Sequence, residues 1–449
     1  MPIWLAWGLN LPLLALAGAA LWRHAARGET GARWFGLALV ARLAGGVALG
    51  LVYVSPWLGQ LDGGGDTIAL HSHAAEFSAW GQHDPAGYGR LLLTSTDQPS
   101  SPLRQYATFS NSFFFVRGLS LLNFLTAGDY WLNGLWLSLA AFAGSWLLAR
   151  ELVRVVPGAV LGARVGALAW PSALFWLSGV SKDALLLAAL GAFTAAALRL
   201  TYPVVETTTA TRRRWWVLLL ASGWLFWKIK FFIAVVAFVA LGALALTEWL
   251  TKRLRGRWPR LRAWQVFLVA ALALAPLSRV AHRAFRPEYL LLQIPLNQAA
   301  LQTHNPDQPA LRLPLTASLG SFARYAPAAA LGVFTRPWPW EGQGVRWRAA
   351  GLENAALLAL FAGAVRGWWR RGRPGGLPLL AGALLLVVAV VAVMFGLTTP
   401  NLGSLHRYRA ALLPFTLFLL DWLRVGGSVE TVLTRGPHPP PAAPLWPRR

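Results

Sequence analysis

Long apolar runs closed off by arginine clusters recur from one end of this chain to the other. About 20 apolar residues carry one helix across the hydrocarbon core of a bilayer, and runs such as 34–57, 129–149, 184–200 and 377–397 meet that length. Inside hydrocarbon every backbone N–H and C=O has to find its partner within the protein, which leaves only helices and closed barrels. The runs are continuous rather than alternating, so helices are expected. The composition agrees, being 56% hydrophobic and 13% charged, where soluble domains carry about 25% charged residues. The expected fold is an all-α polytopic transmembrane helical bundle of about eleven helices. One domain spans 1–430, with long external loops at 58–128 and 282–350, and the proline-rich tail 431–449 is expected to be disordered.

A net charge of +24 points to nucleic acid in a soluble protein. Here the arginines sit between apolar runs instead, at 23–33, 150–154, 199–214, 252–262, 366–373 and after 424, which is the pattern of cytoplasmic loops. No nucleic-acid partner is expected. Placing those segments inside makes the crossings 3–21, 34–57, 129–149, 159–178, 184–200, two within 215–250, then 264–281, 351–367, 377–397 and 408–424. The first positive charges, Arg23 and Arg27, follow the first apolar run, so Met1 to Trp22 reads as a first crossing with its N-terminus outside rather than a cleaved signal. Cysteine is absent, which excludes thiol chemistry and thiolate metal sites.

The stretch 215–250 is too long for one perpendicular crossing, yet both flanks are basic. A hairpin with Lys228 and Lys230 at its outer tip satisfies the charge pattern. The segment 111–127 carries polar breaks and reads as a helix lying in the interface. Loops as long as 58–128 and 282–350 are usually functional when ordered.

Four groups of residues can carry chemistry. The first, Leu-Asp-Gly-Gly-Gly-Asp-Thr-Ile-Ala-Leu-His-Ser-His-Ala-Ala-Glu, follows the second crossing and puts Asp62, Asp66, His71, His73 and Glu76 near the outer boundary. Gly63 to Gly65 permit a tight turn. Asp66 or Thr67 then caps a helix on one face of which lie Asp66, His73 and Glu76. A carboxylate held there suits a general base for an acceptor hydroxyl, with Asp62 as the second candidate and His71, His73 and Glu76 in support. Alternatively Asp66 is a plain cap, or Asp66, His73 and Glu76 hold a divalent metal such as Zn or Mn. No cofactor is otherwise expected.

The second group, Trp-Pro-Ser-Ala-Leu-Phe-Trp-Leu-Ser-Gly-Val-Ser-Lys-Asp, closes one crossing and opens the next. Pro171 breaks helical hydrogen bonding, and Lys182 and Asp183 are costly at membrane depth unless a charged partner or ligand meets them. The third, Thr-Thr-Pro-Asn-Leu-Gly-Ser-Leu-His-Arg-Tyr-Arg, sets His406, Arg407 and Arg409 on an outer turn against the positive-inside trend. Guanidiniums suit a phosphate or pyrophosphate, and Lys228 and Lys230 in the hairpin tip add point charges for the same anion. Lipid headgroups are the plainer partner for them. The fourth, Phe-Thr-Arg-Pro-Trp-Pro-Trp-Glu, gathers Arg336, Trp338, Trp340 and Glu341, either as a sugar platform or as part of the interfacial aromatic belt.

The Gly-Gly-Gly-Asp-Thr loop and the second and third motifs resemble those of integral-membrane glycosyltransferases that use polyprenyl-phosphate sugars. This is the GT-C class, which includes the protein-mannosyltransferase-like family 39, and the likeness is greatest to bacterial members. In that class an acidic residue of the first large external loop acts on the acceptor, a role the resemblance assigns to Asp66. That loop commonly follows the first crossing, whereas here it follows the second. The resemblance implies a polyprenyl-phosphate sugar donor, a glycan, lipid or protein acceptor, and an outward-facing site in a bacterial inner membrane. A cell-surface polysaccharide polymerase or ligase would use the same arginine turn. A lipid or glycan transporter would need ionisable residues along a path through the midplane, for which Arg42 and Arg164 are the candidates.

Overall fold

The structure is a computed structural model that describes residues 1–26, 32–54, 65–93, 110–204, 208–254, 260–282, 285–304, 309–371 and 378–426. In chain order the helices are α1 Ile3–Leu21, α2 Phe35–Val54, α3 Gly65–His83, α4 Pro85–Leu93, α5 Asn111–Thr126, α6 Tyr130–Val155, α7 Val160–Arg164, α8 Pro171–Trp176 and α9 Lys182–Thr201. They continue with α10 Thr209–Arg253, α11 Arg260–Leu274, α12 Leu277–Ala281, α13 Pro287–His304, α14 Leu319–Thr335, α15 Val345–Arg370, α16 Leu379–Thr398, α17 Leu402–Arg409 and α18 Leu413–Val425. Among the described residues there is no strand, only one bridge between Ala310 and Asn401. Among the described residues, eight helical segments are long and apolar enough to cross a membrane. The chain is a polytopic all-α membrane protein.

The 45 residues of α10 would extend about 67 Å at 1.5 Å per residue, twice the hydrocarbon thickness. They do not. Lys230 leaves helical geometry at φ −148 and ψ 71, and the rings of Phe226 and Phe238 meet at 5.9 Å, whereas a straight helix would hold them about 18 Å apart. The expected hairpin is therefore present, with Lys230 at its reversal. Both arms pack on α9, and the Ile229 carbonyl freed by the break accepts a hydrogen bond from Asn111 Nδ2 at 3.1 Å.

The segment 157–176 is a broken crossing. A proline at 171 has no N–H for the carbonyl four residues earlier, so the Ala167 oxygen loses its helical donor. Arg42 of α2 supplies the replacement. Its guanidinium is fully buried and donates to Ala167 O at 2.8 Å and Ala173 O at 2.6 Å. Arg42 thereby fills the hydrogen-bonding gap at the break.

The core runs through α6, α9, α10, α16 and α18. Where α6 crosses α9, Gly144 and Gly191 face each other so closely that a Cβ on either would overlap the opposite backbone. That contact fixes α9 along its length, with one charged cluster at its start and another at its end. The basic segments 150–154, 199 and 252, and residues 371 and 424, gather at the α9 C-terminal end, through Arg154 on Tyr202 O, Lys252 on Thr201 O and Arg371 on Leu423 O. This is the clustering expected of one membrane face.

Both long segments read as loops contain helices: α3, α4 and α5 in 58–128, α13 and α14 in 282–350. The segment 111–127 forms a helix, α5, capped by Ser110 and packed on α3. Within 282–350, α14 packs along α16, with Gly396 against the backbone of Ala329. Asp62 and the tail 431–449 lie outside the described residues.

Candidate functional site

The second and third motifs, more than two hundred residues apart in sequence, meet at the N-terminal end of α9. Gly179 adopts φ +66, a left-handed conformation that favours glycine, and its N–H donates to Ser138 Oγ at 2.8 Å. The turn delivers Ser181 as cap of α9, accepting from Ala184 N at 3.0 Å. Lys182 and Asp183 then occupy the first turn.

Asp183 is 2% exposed. Its Oδ2 takes Arg407 Nε at 2.6 Å, and its Oδ1 lies 3.7 Å from Lys230 Nζ. Lys182 adds a third cation, its Nζ donating to Ser112 Oγ at 2.8 Å. Lys230, itself 7% exposed, stands 4.1 Å from the centroid of the Tyr408 ring. One carboxylate is thus surrounded by three cations. The placement of two of these is informative: Lys182 is the first residue of α9 and Lys230 precedes the second arm of α10. Helix N-termini carry partial positive charge and disfavour cations. Two lysines brought to two such ends make a cluster that gains from an anion.

Arg409 lies two residues beyond Arg407 and points to another side of α17. It is 0% exposed and donates to Val333 O at 3.3 Å and Glu353 Oε1 at 3.4 Å. The same Glu353 oxygen accepts Trp170 Nε1 and Ser172 Oγ, both at 2.5 Å, so Glu353 ties α15 and α17 to the break in the fourth crossing. His406 accepts from Trp176 Nε1 through Nδ1 at 3.2 Å. The neutral ring therefore carries its proton on Nε2, which is buried with no partner. Burial, and then the Arg409 cation, hold this imidazole well below its ordinary pKa.

In the fourth motif Glu341 closes its own loop. Its carboxylate pairs with Arg336 and accepts Trp338 N at 2.9 Å, while Trp338 and Trp340 stack with centroids 5.5 Å apart and planes 4° from parallel. Trp340 is 76% exposed. Asn354 Nδ2, donating to Pro337 O at 2.7 Å, holds this loop on α15 one residue from Glu353.

The helix expected after the glycines is α3, with Asp66 in its first turn, although the Asp66 side chain lies outside the described residues. His71 Nε2 donates to Gly128 O at 3.1 Å and its ring meets the edge of Tyr130. Burial lowers the His71 pKa, against the opposing pull of Gly128 and Asp129. His73 is half-buried and Glu76 is exposed. Among the described residues, which do not include the Asp66 side chain, no three His, Asp or Glu side chains are grouped as metal ligands.

Of the two hairpin lysines, Lys228 is exposed and Lys230 is the one that enters the cluster. The sequence offered both lysines as point charges for an anion, and it assigned no site role to Ser112, Trp176, Tyr408 or Glu353. Ser112 had a signal in the polar start of α5, and Glu353 had one as a carboxylate opening an apolar run. Comparison with family models, with curated proteins and with solved structures finds no match for this chain.

Proposed function

We propose that this protein is a membrane glycosyltransferase of GT-C type, transferring a sugar from a polyprenyl-phosphate donor to an acceptor on the outer face of a bacterial inner membrane. The observation that carries the reading is the convergence of Arg407, Lys230 and Lys182 on buried Asp183, with the two lysines at helix N-termini. Such a site stabilises a phosphate that gains charge as its bond to the sugar breaks. The basic helix ends gathered at the far end of α9 support placing that end in the cytoplasm, which turns the Asp183 cluster outward.

In this mechanism Arg407, Lys182 and Lys230 hold the donor phosphate, and Asp183 orients Arg407. The acceptor oxygen attacks the anomeric carbon as the bond from that carbon to the phosphate oxygen breaks. The acceptor proton passes to Asp66, with Asp62 as the alternative base, and polyprenyl phosphate leaves as the anion. A single displacement inverts the anomeric configuration. Trp338 and Trp340 offer a flat stacked surface to a sugar ring, held near Arg409 through α15.

The test is transfer of radiolabelled sugar from polyprenyl-phosphate donors in membranes carrying wild type, Asp66→Asn or Arg407→Ala. Both variants are expected to lose transfer, by at least about a hundredfold for the base. Equal transfer by wild type and Asp66→Asn for every donor would refute the base. Loss with Arg407→Ala alone would favour a polysaccharide polymerase or ligase, which needs the same cations to hold a lipid pyrophosphate.

A further inference from the structure

A second site for a phosphate-bearing anion lies at the other end of the bundle. Val156 departs from helical geometry and Pro157 turns the chain back. A cleft of about 240 Å³ is left between the last turns of α6 and the broken segment 157–168. Arg150, Arg154 and Arg164 form its polar wall, and Trp146, Val153 and Leu168 contribute to its apolar wall. No acidic residue lines it among the described residues. Glu151, between two of these arginines in sequence, is 1% exposed and engages Arg150, Arg154 and Arg199.

Two of the three arginines are held in place by contacts within the protein. Arg150 contacts Glu151 Oε1 at 3.1 Å, and Arg154 donates to Tyr202 O at 2.9 Å as well as to Glu151. A preformed cation wall loses little freedom on binding, and guanidiniums match phosphate oxygens two at a time. Trp146, Ala149 and Leu168 belong to the apolar cluster that also contains Phe35 and is packed by Leu21. The cleft therefore opens beside the α1–α2 junction, at the end of the molecule where the basic segments gather. Basic clefts between helices on that face suit anionic lipid heads. The volume lies just below the range of about 300–1,000 Å³ usual for ligand sites, which favours a phosphate group with a short apolar stem over a whole glycan.

We propose that this cleft binds a phosphate group, presented either by an anionic lipid of the adjoining leaflet or by a free phosphate. The site is independent of the transfer reaction.

The test uses the full chain in detergent, titrated with micelles containing phosphatidic acid, with micelles containing phosphatidylcholine, or with inorganic phosphate, and follows the thermal unfolding midpoint. Arg164→Gln removes one cation, and Val153→Trp fills the cleft while leaving every charge in place. Phosphatidic acid is expected to raise the midpoint of the wild type; Arg164→Gln is expected to need at least about tenfold more of it, the loss of one charge-assisted contact, and Val153→Trp, its cleft filled, at least as much more. An equal rise with inorganic phosphate, lost in the variants, supports the site with a soluble ligand; a rise with phosphatidic acid alone supports it with a lipid. If Arg164→Gln fails to fold, Val153→Trp decides. An anion response unchanged by Val153→Trp, or none with either anion, overturns the proposal.

Discussion

The two ends of α9 pose the same problem and solve it differently. At each, one buried carboxylate meets three cations: Asp183 with Arg407, Lys230 and Lys182, and Glu151 with Arg150, Arg154 and Arg199. At the Glu151 end the cations sit near helix C-termini, where the backbone attracts them. Arg154 caps the last carbonyls of α9, and Arg150 and Arg199 spread over the Trp215 ring. At the Asp183 end two of the three cations sit at helix N-termini, where the backbone repels them. The first arrangement follows local helix electrostatics. The second acts against local electrostatics, and a site that does so is where a ligand is expected to supply what folding does not.

The comparison breaks or sharpens under substitution. The largest effect is expected from Arg407→Ala, which leaves the Asp183 carboxylate buried without its closest partner and costs about 3–5 kcal/mol. Denaturant unfolding in detergent measures it, and the double change Asp183→Asn with Arg407→Gln is expected to recover part of the loss. A cost below about 1 kcal/mol would erase the distinction between the two ends.

A smaller effect is tied to acid. The His406 imidazole is held neutral in the folded chain, whereas in the unfolded chain it takes a proton near pH 6.5. Folded pKa below unfolded pKa means that the unfolded chain binds more protons as pH falls below about 6.5, so stability present at pH 7 is lost progressively from there downward. Unfolding midpoints of wild type are expected to drop between pH 7 and 5 more than those of His406→Gln. Parallel curves for the two proteins would remove His406 from the account. The smallest effect is expected from Arg150→Gln at the other end, about 0.2–1 kcal/mol in the same unfolding assay, because Arg154 and Arg199 continue to serve Glu151.

What the sequence disclosed follows from which signals are local. Apolar runs and arginine flanks placed the helices of the bundle and the 215–250 hairpin, because hydrocarbon leaves few alternatives. Lys182, Asp183 and Arg407 stood out as charges in an apolar background. Lys230 was not separable from Lys228, since the residue at which a helix breaks decides which of two tip lysines turns inward. The Arg409–Glu353 contact was hidden because nothing local pairs a turn at 409 with a carboxylate opening an apolar run at 353. α14 was read as loop because Arg324 and Pro327 interrupt its apolar run.

The Arg42 contact constrains the order in which this protein can assemble. α1 and α2 are largely unburied by the rest of the chain, with only 17% and 33% of their apolar windows covered. α2 leaves the ribosome well before residues 167–178, whose carbonyls and Ser178 hydroxyl receive its guanidinium. Until then a bare cation in mid-helix is poorly tolerated by lipid, so Arg42 has to stay near water or a neighbouring polar group. Its final seating therefore depends on the later crossing, and the broken crossing depends on it in turn. Neither segment reaches its finished form alone, which makes the first part of the chain to be made among the last to be locked.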